Sequence, residues 1–316
     1  MAEAKSAPIA LGTWSWGTGA IGGDQVFGNH LEEADLKPIF DAGMEAGLNL
    51  WDTAVAYGLG ASERILGALA QAYPREDVVL STKFTPQIAG DSADPVADMC
   101  EASLERLGTD HIDLYWVHNP ADVERWTPLL VSLVKSGKVG RVGVSNHNLD
   151  QIKRAEDILS AEGVHVSAVQ NHYSLLYRSS EDAGILDYCH ENGIEFFSYM
   201  VLEQGALSGA YDTEHPLPEG SQRAETYNPL LPKIERLTAV MVQIGAAHDA
   251  TVAQVAIAWA IAKETTPIIG VTKARHITDA AHAAQIALTQ DELAVLEQAA
   301  AETGVDTRGS WENPMA

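Results

Sequence analysis

Four residues in the first half of this 316-residue sequence carry side chains whose chemistry fits together: Asp52, Tyr57, Lys83 and His118. A free phenol titrates near about 10, too high for efficient proton exchange at neutrality. A neighbouring ammonium favours phenolate and is expected to lower that value, while Asp52 keeps Lys83 charged and aimed. Tyr57 would then protonate a developing alkoxide, and His118 would hydrogen-bond the carbonyl oxygen and orient it. Such a set has no electron donor of its own, so a hydride must come from a bound cofactor. Taken singly, each residue has an ordinary structural explanation: Asp52 could cap the next turn, and a buried Lys or His could be a satisfied core residue. Three titratable groups ending three successive strands are harder to explain that way, because an unpaired buried charge is costly.

The elements that must position them are short β-type runs alternating with amphipathic stretches. The runs fall at 8–13, 48–53, 78–83, 112–118, 139–145, 166–171, 194–199 and 266–271. They are mostly apolar without clean alternation, the pattern of a parallel sheet covered on both faces. Helical periodicity occupies 31–46, 62–72, 95–107, 123–136, 149–162, 181–192, 234–248, 251–263, a stretch from about 275, and 290–301. Gly43, Gly47, Gly108, Gly137 and Gly193 fall near helix ends, and Ser62, Asp91 and Asp94 suit N-caps. Eight right-handed βα units close most simply into an α/β fold, a parallel eight-stranded (β/α)8 TIM barrel. The alternative is a doubly wound open sheet, but no linker or composition shift divides the chain into halves. Residues 1–316 therefore read as one barrel domain, with the tail at 303–316 near the barrel mouth. The C-terminal strand ends, where function collects in such barrels, hold Asp52, Lys83, His118, Ser145-Asn146, Gln170 and Tyr199.

Composition narrows the partners. Lys and Arg total 20 against 44 Asp and Glu, a net charge of −24, and 46% of residues are apolar. Nucleic acid and anionic membranes both require surplus cations, so neither is expected as a partner. No stretch approaches the roughly 20 apolar residues of a membrane span. Residues 1–10 lack the features of a signal peptide, and two cysteines, Cys100 and Cys189, suit a reducing cytoplasm. The remaining histidines, among them His147, His165, His172, His190, His248 and His282, show no ligand spacing, so no metal is expected.

One motif misleads. Gly17-Thr18-Gly19-Ala20-Ile21-Gly22 matches the GxGxxG phosphate fingerprint after a strand. Gly23 to Asn29 does not read as the helix a dinucleotide fold packs on the third glycine, so this stretch is expected to be a flexible loop over the mouth.

With these residues in view, the chain resembles the aldo-keto reductases, a family of NAD(P)H-dependent (β/α)8 oxidoreductases. The resemblance runs from about Leu11 to about Ala301. It rests on Leu11-Gly12-Thr13-Trp14, on Asp52-Thr53-Ala54 through Tyr57-Gly58 to Ser62-Glu63-Arg64, on Ser81-Thr82-Lys83 and on Asp113-Leu114-Tyr115-Trp116-Val117-His118. Gly143-Val144-Ser145-Asn146 resembles the strand-five pair that holds the nicotinamide carboxamide, with Gln170 as its partner. Tyr199 falls where the family stacks an aromatic ring on the nicotinamide, and the loop with Leu202 and Gln204 follows it. The resemblance further implies cofactor contacts from Gly12, Thr13, Trp14 and Asp52. It places the adenosine phosphates near Gly270, Thr272, Lys273 and His276, where Lys273, Arg275 and His276 concentrate cation beside a helix N-terminus suited to phosphate. Because the cofactor is a polyanion that the overall charge repels, binding must depend on this local site.

The sequence departs from the family at Met200-Val201, where Ser-Pro is usual, and at His276 and Ala280, where Arg and Asn are common. The expected cofactor is NADPH with NADH possible, and Lys273 is the candidate partner of the 2′-phosphate. A hairpin usual under the barrel is not expected, since about seven residues precede the first strand. The mouth is expected to be lined by Trp14, Trp16, Tyr57, Trp116, His118 and the tail's Trp311, suiting an apolar or aromatic small-molecule carbonyl compound. The segment 209–232, with four prolines, reads as a mobile cover. Two other readings use the same residues. One is an aldolase with Lys83 as Schiff-base nucleophile; the other is a cofactor-binding regulatory subunit with little turnover.

Overall fold

A computed structural model describes residues 8–315, so the expectation about a hairpin ahead of the first strand lies outside the described residues. Eight parallel strands close in sequence order: β1 Ala10–Gly12, β2 Leu50–Asp52, β3 Val79–Phe84, β4 Ile112–Val117, β5 Val139–Ser145, β6 Val166–His172, β7 Glu195–Tyr199 and β8 Thr266–Gly270. The ring is completed where Ala10 pairs with Ile268 and Gly12 with Gly270. Among the described residues no open sheet edge remains, and the doubly wound alternative is excluded.

The missing alternation in the strands has a direct cause: both faces are buried. One face points into the barrel, where Ala10, Leu50, Leu114, Trp116, Ala168 and Phe197 form an apolar plug. The other lies under the helices in a larger continuous core. Trp116 fills the barrel because β5 offers Gly143 opposite it. A Cβ at Gly143 would stand 2.5 Å from the Trp116 ring.

Helix punctuation follows local chemistry. Asp94 caps Pro95–Leu107 by accepting the Ala97 N–H, and Gly108 closes that helix in the left-handed region, with φ 64°. Asn148 with Gln151, Thr251 with Gln254 and Thr289 with Glu292 form reciprocal capping boxes. Gly47, Gly137 and Gly193 also adopt positive φ. Gly43 differs from the expectation. It lies inside Glu33–Glu45, and a Cβ there would meet the Trp51 ring at 2.8 Å, so its role is close packing. Ser62 is likewise inside its helix, Ala61–Ala70, and Asp91 sits in a bend ahead of Asp94.

Two expected helices are broken. Around Pro128, the 123–136 stretch becomes Val123–Trp126, a 3₁₀ turn Thr127–Leu129, and Leu130–Lys135. Gly184, at φ 73°, divides Ser179–Asp182 from Ile185–Asn192. A five-residue helix, Gly23–Phe27, does follow the GxGxxG stretch, ending at Gly28 with φ 71°. The strand before it closes a barrel, so the motif is not a dinucleotide fingerprint. The 209–232 segment contains a helix, Gln222–Tyr227, and buries Leu217 and Tyr227. Both cysteines are free and buried, and burial pushes each thiol up to about 12. Among the described residues, no single helix is long and apolar enough to cross a membrane.

Candidate active site

The ends of β2 and β3 bring Asp52 and Lys83 together at the C-terminal rim. Lys83 Nζ donates to Asp52 Oδ2 at 2.6 Å and to the Thr53 carbonyl at 2.8 Å. Asp52 Oδ1 accepts the Ser81 hydroxyl at 2.7 Å and the Gln170 amide at 3.2 Å. Trp116 Nε1 donates to the same Ser81 oxygen at 2.7 Å, so the apolar plug orients the ion pair from below.

Tyr57 follows in a tight turn, Tyr57–Gly60, in which Gly58, Leu59 and Gly60 all have positive φ. Ser62 and Glu63 fasten this turn to the rim. The Ser62 hydroxyl donates to Thr13 and receives Thr53 Oγ1 at 3.0 Å. Glu63 accepts Thr82 Oγ1 at 2.6 Å and Arg106 Nε at 2.5 Å. The result sets the Tyr57 ring beneath Lys83 Nζ, 5.3 Å from its centroid, and 6.1 Å from the His118 ring. Among the described residues, the Tyr57 hydroxyl makes no hydrogen bond within the protein, and Tyr57 lines a large cavity.

Electrostatics correct one expectation. Burial and then the Asp52 charge raise the Tyr57 phenol well above its ordinary value; the ammonium does not lower it. Burial also lowers the Lys83 value, and Asp52 partly offsets this. Burial and the Lys83 charge push His118 down to about 3, so its imidazole is neutral near pH 7. His118 Nδ1 lies 3.0 Å from Thr85 Oγ1. With that hydroxyl donating to Nδ1, the ring proton sits on Nε2.

The cavity occupies about 1250 Å³ and extends from Tyr57 and His118 to the N-terminus of Ala274–Ala283. Its wall includes Gly12, Thr13, Trp14, Asp52, Ser145, Asn146, Gln170, Tyr199, Leu202, Gln204, Gly270, Thr272, Lys273 and His276. Asn146, at φ 62°, donates from Nδ2 to the His118 carbonyl at 2.9 Å. Trp14 stacks on Tyr57 with centroids 5.8 Å apart and meets Trp311 edge-on at 6.0 Å.

The Aldo/keto reductase family model matches residues 8–301. The chain belongs to the aldo/keto reductase family. It is 33% identical over 320 residues to a chloroplastic pyridoxal reductase of Arabidopsis thaliana, covering 96% of this chain and 86% of that one. It is 32% identical to aldo-keto reductase str7 of Strobilurus tenacellus, covering 93% and 90%. Among solved structures, an aldo-keto reductase from Klebsiella pneumoniae in complex with NADPH is 27% identical, with a TM-score of 0.72 over 92% of this chain and 90% of that one.

Two expected positions of this aldo/keto reductase fall elsewhere. Trp16 is fully buried outside the barrel, tilted against Trp51 at 5.5 Å, and its Nε1 donates to the Val271 carbonyl at 2.7 Å. Trp116 belongs to the interior plug. Neither tryptophan lines the cavity: Trp116 lies one layer below it inside the barrel, and Trp16, in the turn after β1, packs on Trp51. Lys83 stands at the expected strand end, fully buried and committed to Asp52 and the Thr53 carbonyl.

Several wall residues escaped the sequence reading. Phe27 meets Trp14 edge-on at 5.3 Å, from the short helix expected to be loop. Gln87 and Asn119 exchange two amide hydrogen bonds at the rim. Arg223 lies over Phe27 and Tyr211, and its buried Nε has no hydrogen-bond partner. Its signal was a lone cation within a proline-rich segment. Among the described residues, no group of three or more His, Cys, Asp or Glu is arranged to hold a metal ion.

Proposed function

We propose that this chain is an NADPH-dependent reductase of aldehydes or ketones, with Tyr57 as proton donor. One observation carries the reading: the unbonded Tyr57 hydroxyl and the neutral His118 imidazole meet at the cavity floor, backed by a buried Lys83–Asp52 pair. The residues present fit a dinucleotide. Lys273 and Arg275 at the N-terminus of Ala274–Ala283, with Arg223 also on the cavity wall, supply cation toward phosphates. Ser145, Asn146 and Gln170 supply amide and hydroxyl groups for a carboxamide, and Tyr199 supplies a ring face. Bound NADPH, or less effectively NADH, would supply the hydride.

The protein's own residues then handle the oxygen. His118 Nε2–H hydrogen-bonds the carbonyl oxygen and fixes its direction. Tyr57 keeps its proton at neutral pH because burial raises its pKa, and it releases that proton only to an alkoxide, a much stronger base. Lys83 lies close enough to stabilise the resulting phenolate. Ile21, Leu59, Ile88 and Trp311 are exposed around the same opening and exclude water from an apolar or aromatic substrate. A cytoplasmic location belongs to the same reading, resting on two unpaired buried cysteines.

The test is a panel of carbonyl compounds, followed by loss of nicotinamide absorbance. Tyr57→Phe is expected to lower kcat by about 10²- to 10⁴-fold with little change in NADPH Kd. A protein that oxidises NADPH with none of the panel refutes the reading and leaves the regulatory alternative. Equal loss of rate and cofactor affinity in Tyr57→Phe removes Tyr57 as donor.

A further inference from the structure

The C-terminal segment returns to the rim beside Tyr199 and is fastened there by a buried carboxylate. Glu312 Oε1 lies 2.6 Å from the Tyr199 hydroxyl and 2.9 Å from His172 Nδ1, while Oε2 accepts the Gly309 N–H at 3.0 Å. His172 is fully buried, stacks on Tyr199, and reaches Glu203 Oε1 with Nε2 at 3.0 Å. Burial alone would lower its pKa, but the two carboxylates raise it to about 9, so it bridges them as a cation.

A proton count at Tyr199 gives this arrangement a purpose. The hydroxyl has one hydrogen and two acceptors at 2.6 Å, Glu312 Oε1 and Asn146 Oδ1. Trp311 Nε1 approaches the same oxygen at 3.3 Å as a donor. A carboxylate outcompetes an amide oxygen for the proton. The Asn146 amide cannot turn over to compensate, because Nδ2 is committed to the His118 carbonyl at 2.9 Å and Ser145 Oγ at 3.1 Å. With the tyrosine proton on Glu312, Asn146 Oδ1 is left facing the cavity as an acceptor without a protein donor.

We propose that Glu312 is a positioning residue of the nicotinamide site: by holding the Tyr199 proton it keeps Asn146 Oδ1 open for the carboxamide N–H of the cofactor. The inference rests on the NADPH reading above. It makes the tail part of the cofactor site, acting through two side chains rather than by touching the cofactor.

Glu312→Gln tests it. The Gly309 N–H requires an oxygen where Oε2 stands, so the glutamine turns its NH₂ toward Tyr199 and His172 Nδ1. With one carboxylate gone, His172 keeps a single proton on Nε2 toward Glu203; its Nδ1 accepts one amide hydrogen, and the other drives the tyrosine proton onto Asn146. NADPH binding is expected to weaken about fivefold to tenfold, the worth of one hydrogen bond. Binding of 2′-phospho-ADP-ribose, which has no nicotinamide, should stay unchanged. Adding Tyr199→Phe to Glu312→Gln removes the misplaced proton and keeps the ring, so NADPH affinity should return to within about twofold of wild type. A tail with only a structural role would weaken both ligands and show no recovery.

Unchanged NADPH affinity in Glu312→Gln, equal weakening of both ligands, or no recovery in the double variant overturns the proposal. Wild-type protein that binds 2′-phospho-ADP-ribose but neither NADPH nor its oxidised form overturns the functional reading beneath it. If Glu312→Gln does not fold, the wild type decides: the 3-acetylpyridine analogue of the oxidised cofactor, whose acetyl group has no N–H, should bind about fivefold more weakly than the oxidised cofactor itself. Equal binding would place the Tyr199 proton on Asn146 and overturn the assignment.

Discussion

Replacing Lys83 by Met removes one half of an ion pair whose other half cannot reach water. The two side chains are 0% and 4% exposed and 2.6 Å apart. Deleting one partner of such a pair costs about 3–5 kcal/mol, because the surviving charge stays buried. Asp52 Oδ1 keeps the Ser81 and Gln170 donors, whereas Oδ2 loses its ammonium. These retained bonds place the expected loss near the low end, about 3 kcal/mol. For 316 residues the unfolding entropy is about 0.7 kcal/mol/K, so Tm should fall by about 4–5 °C. Asp52→Asn combined with Lys83→Met leaves neither charge and should recover more than half of that loss. Thermal unfolding of wild type, both single variants and the double variant completes the cycle. A fall below about 1 °C in Lys83→Met, or strictly additive losses in the double variant, refutes the uncompensated-charge argument.

Three other outcomes follow from the geometry. Lys273→Ala should weaken NADPH more than NADH in fluorescence titrations, and equal weakening would remove Lys273 as partner of the 2′-phosphate. Gly143→Ala puts a Cβ 2.5 Å from the Trp116 ring, so it should cost about 1–3 kcal/mol as overpacking and lower Tm; a neutral effect would contradict the tight plug. Stability should fall on both sides of neutrality. His172, raised to about 9, contributes stability that is complete below about 6.5 and lost as pH rises through 9. His118 and His147, lowered to about 3 and 4, stay neutral in the fold while the unfolded chain takes up protons below about 6.5, so stability declines on acidification. Tm that is flat between pH 5 and pH 10 would contradict these assignments.

The barrel was legible in the sequence because each β-run is apolar on both faces, and because a cap such as Asp94 acts within a few residues of itself. The catalytic candidates were legible for a related reason: strand ends are fixed by position along the chain, so Asp52, Tyr57 and His118 could be placed at the rim before any contact was known. Residues whose role depends on which way a strand, turn or helix makes them face were misplaced. Trp16 and Trp116 are aromatic and close to the motifs, yet one packs outside the barrel and the other beneath the site. Gly43 looked like a helix end, and only the approach of Trp51 explains why a glycine stands inside the helix.

The amino-acid sequence by itself determined the strand order and the residues at the strand ends that form the rim, among them Asp52, Lys83, Ser145 and Gln170. Tertiary structure alone decided how those residues are charged and to what they are bonded. Tyr57 is raised rather than lowered because burial dominates and the Asp52 carboxylate adds to it. His172 is a cation because two glutamates distant in sequence, Glu203 and Glu312, converge on it in the interior. Burial and contact between segments 140 residues apart set these properties, and neither is encoded in local spacing.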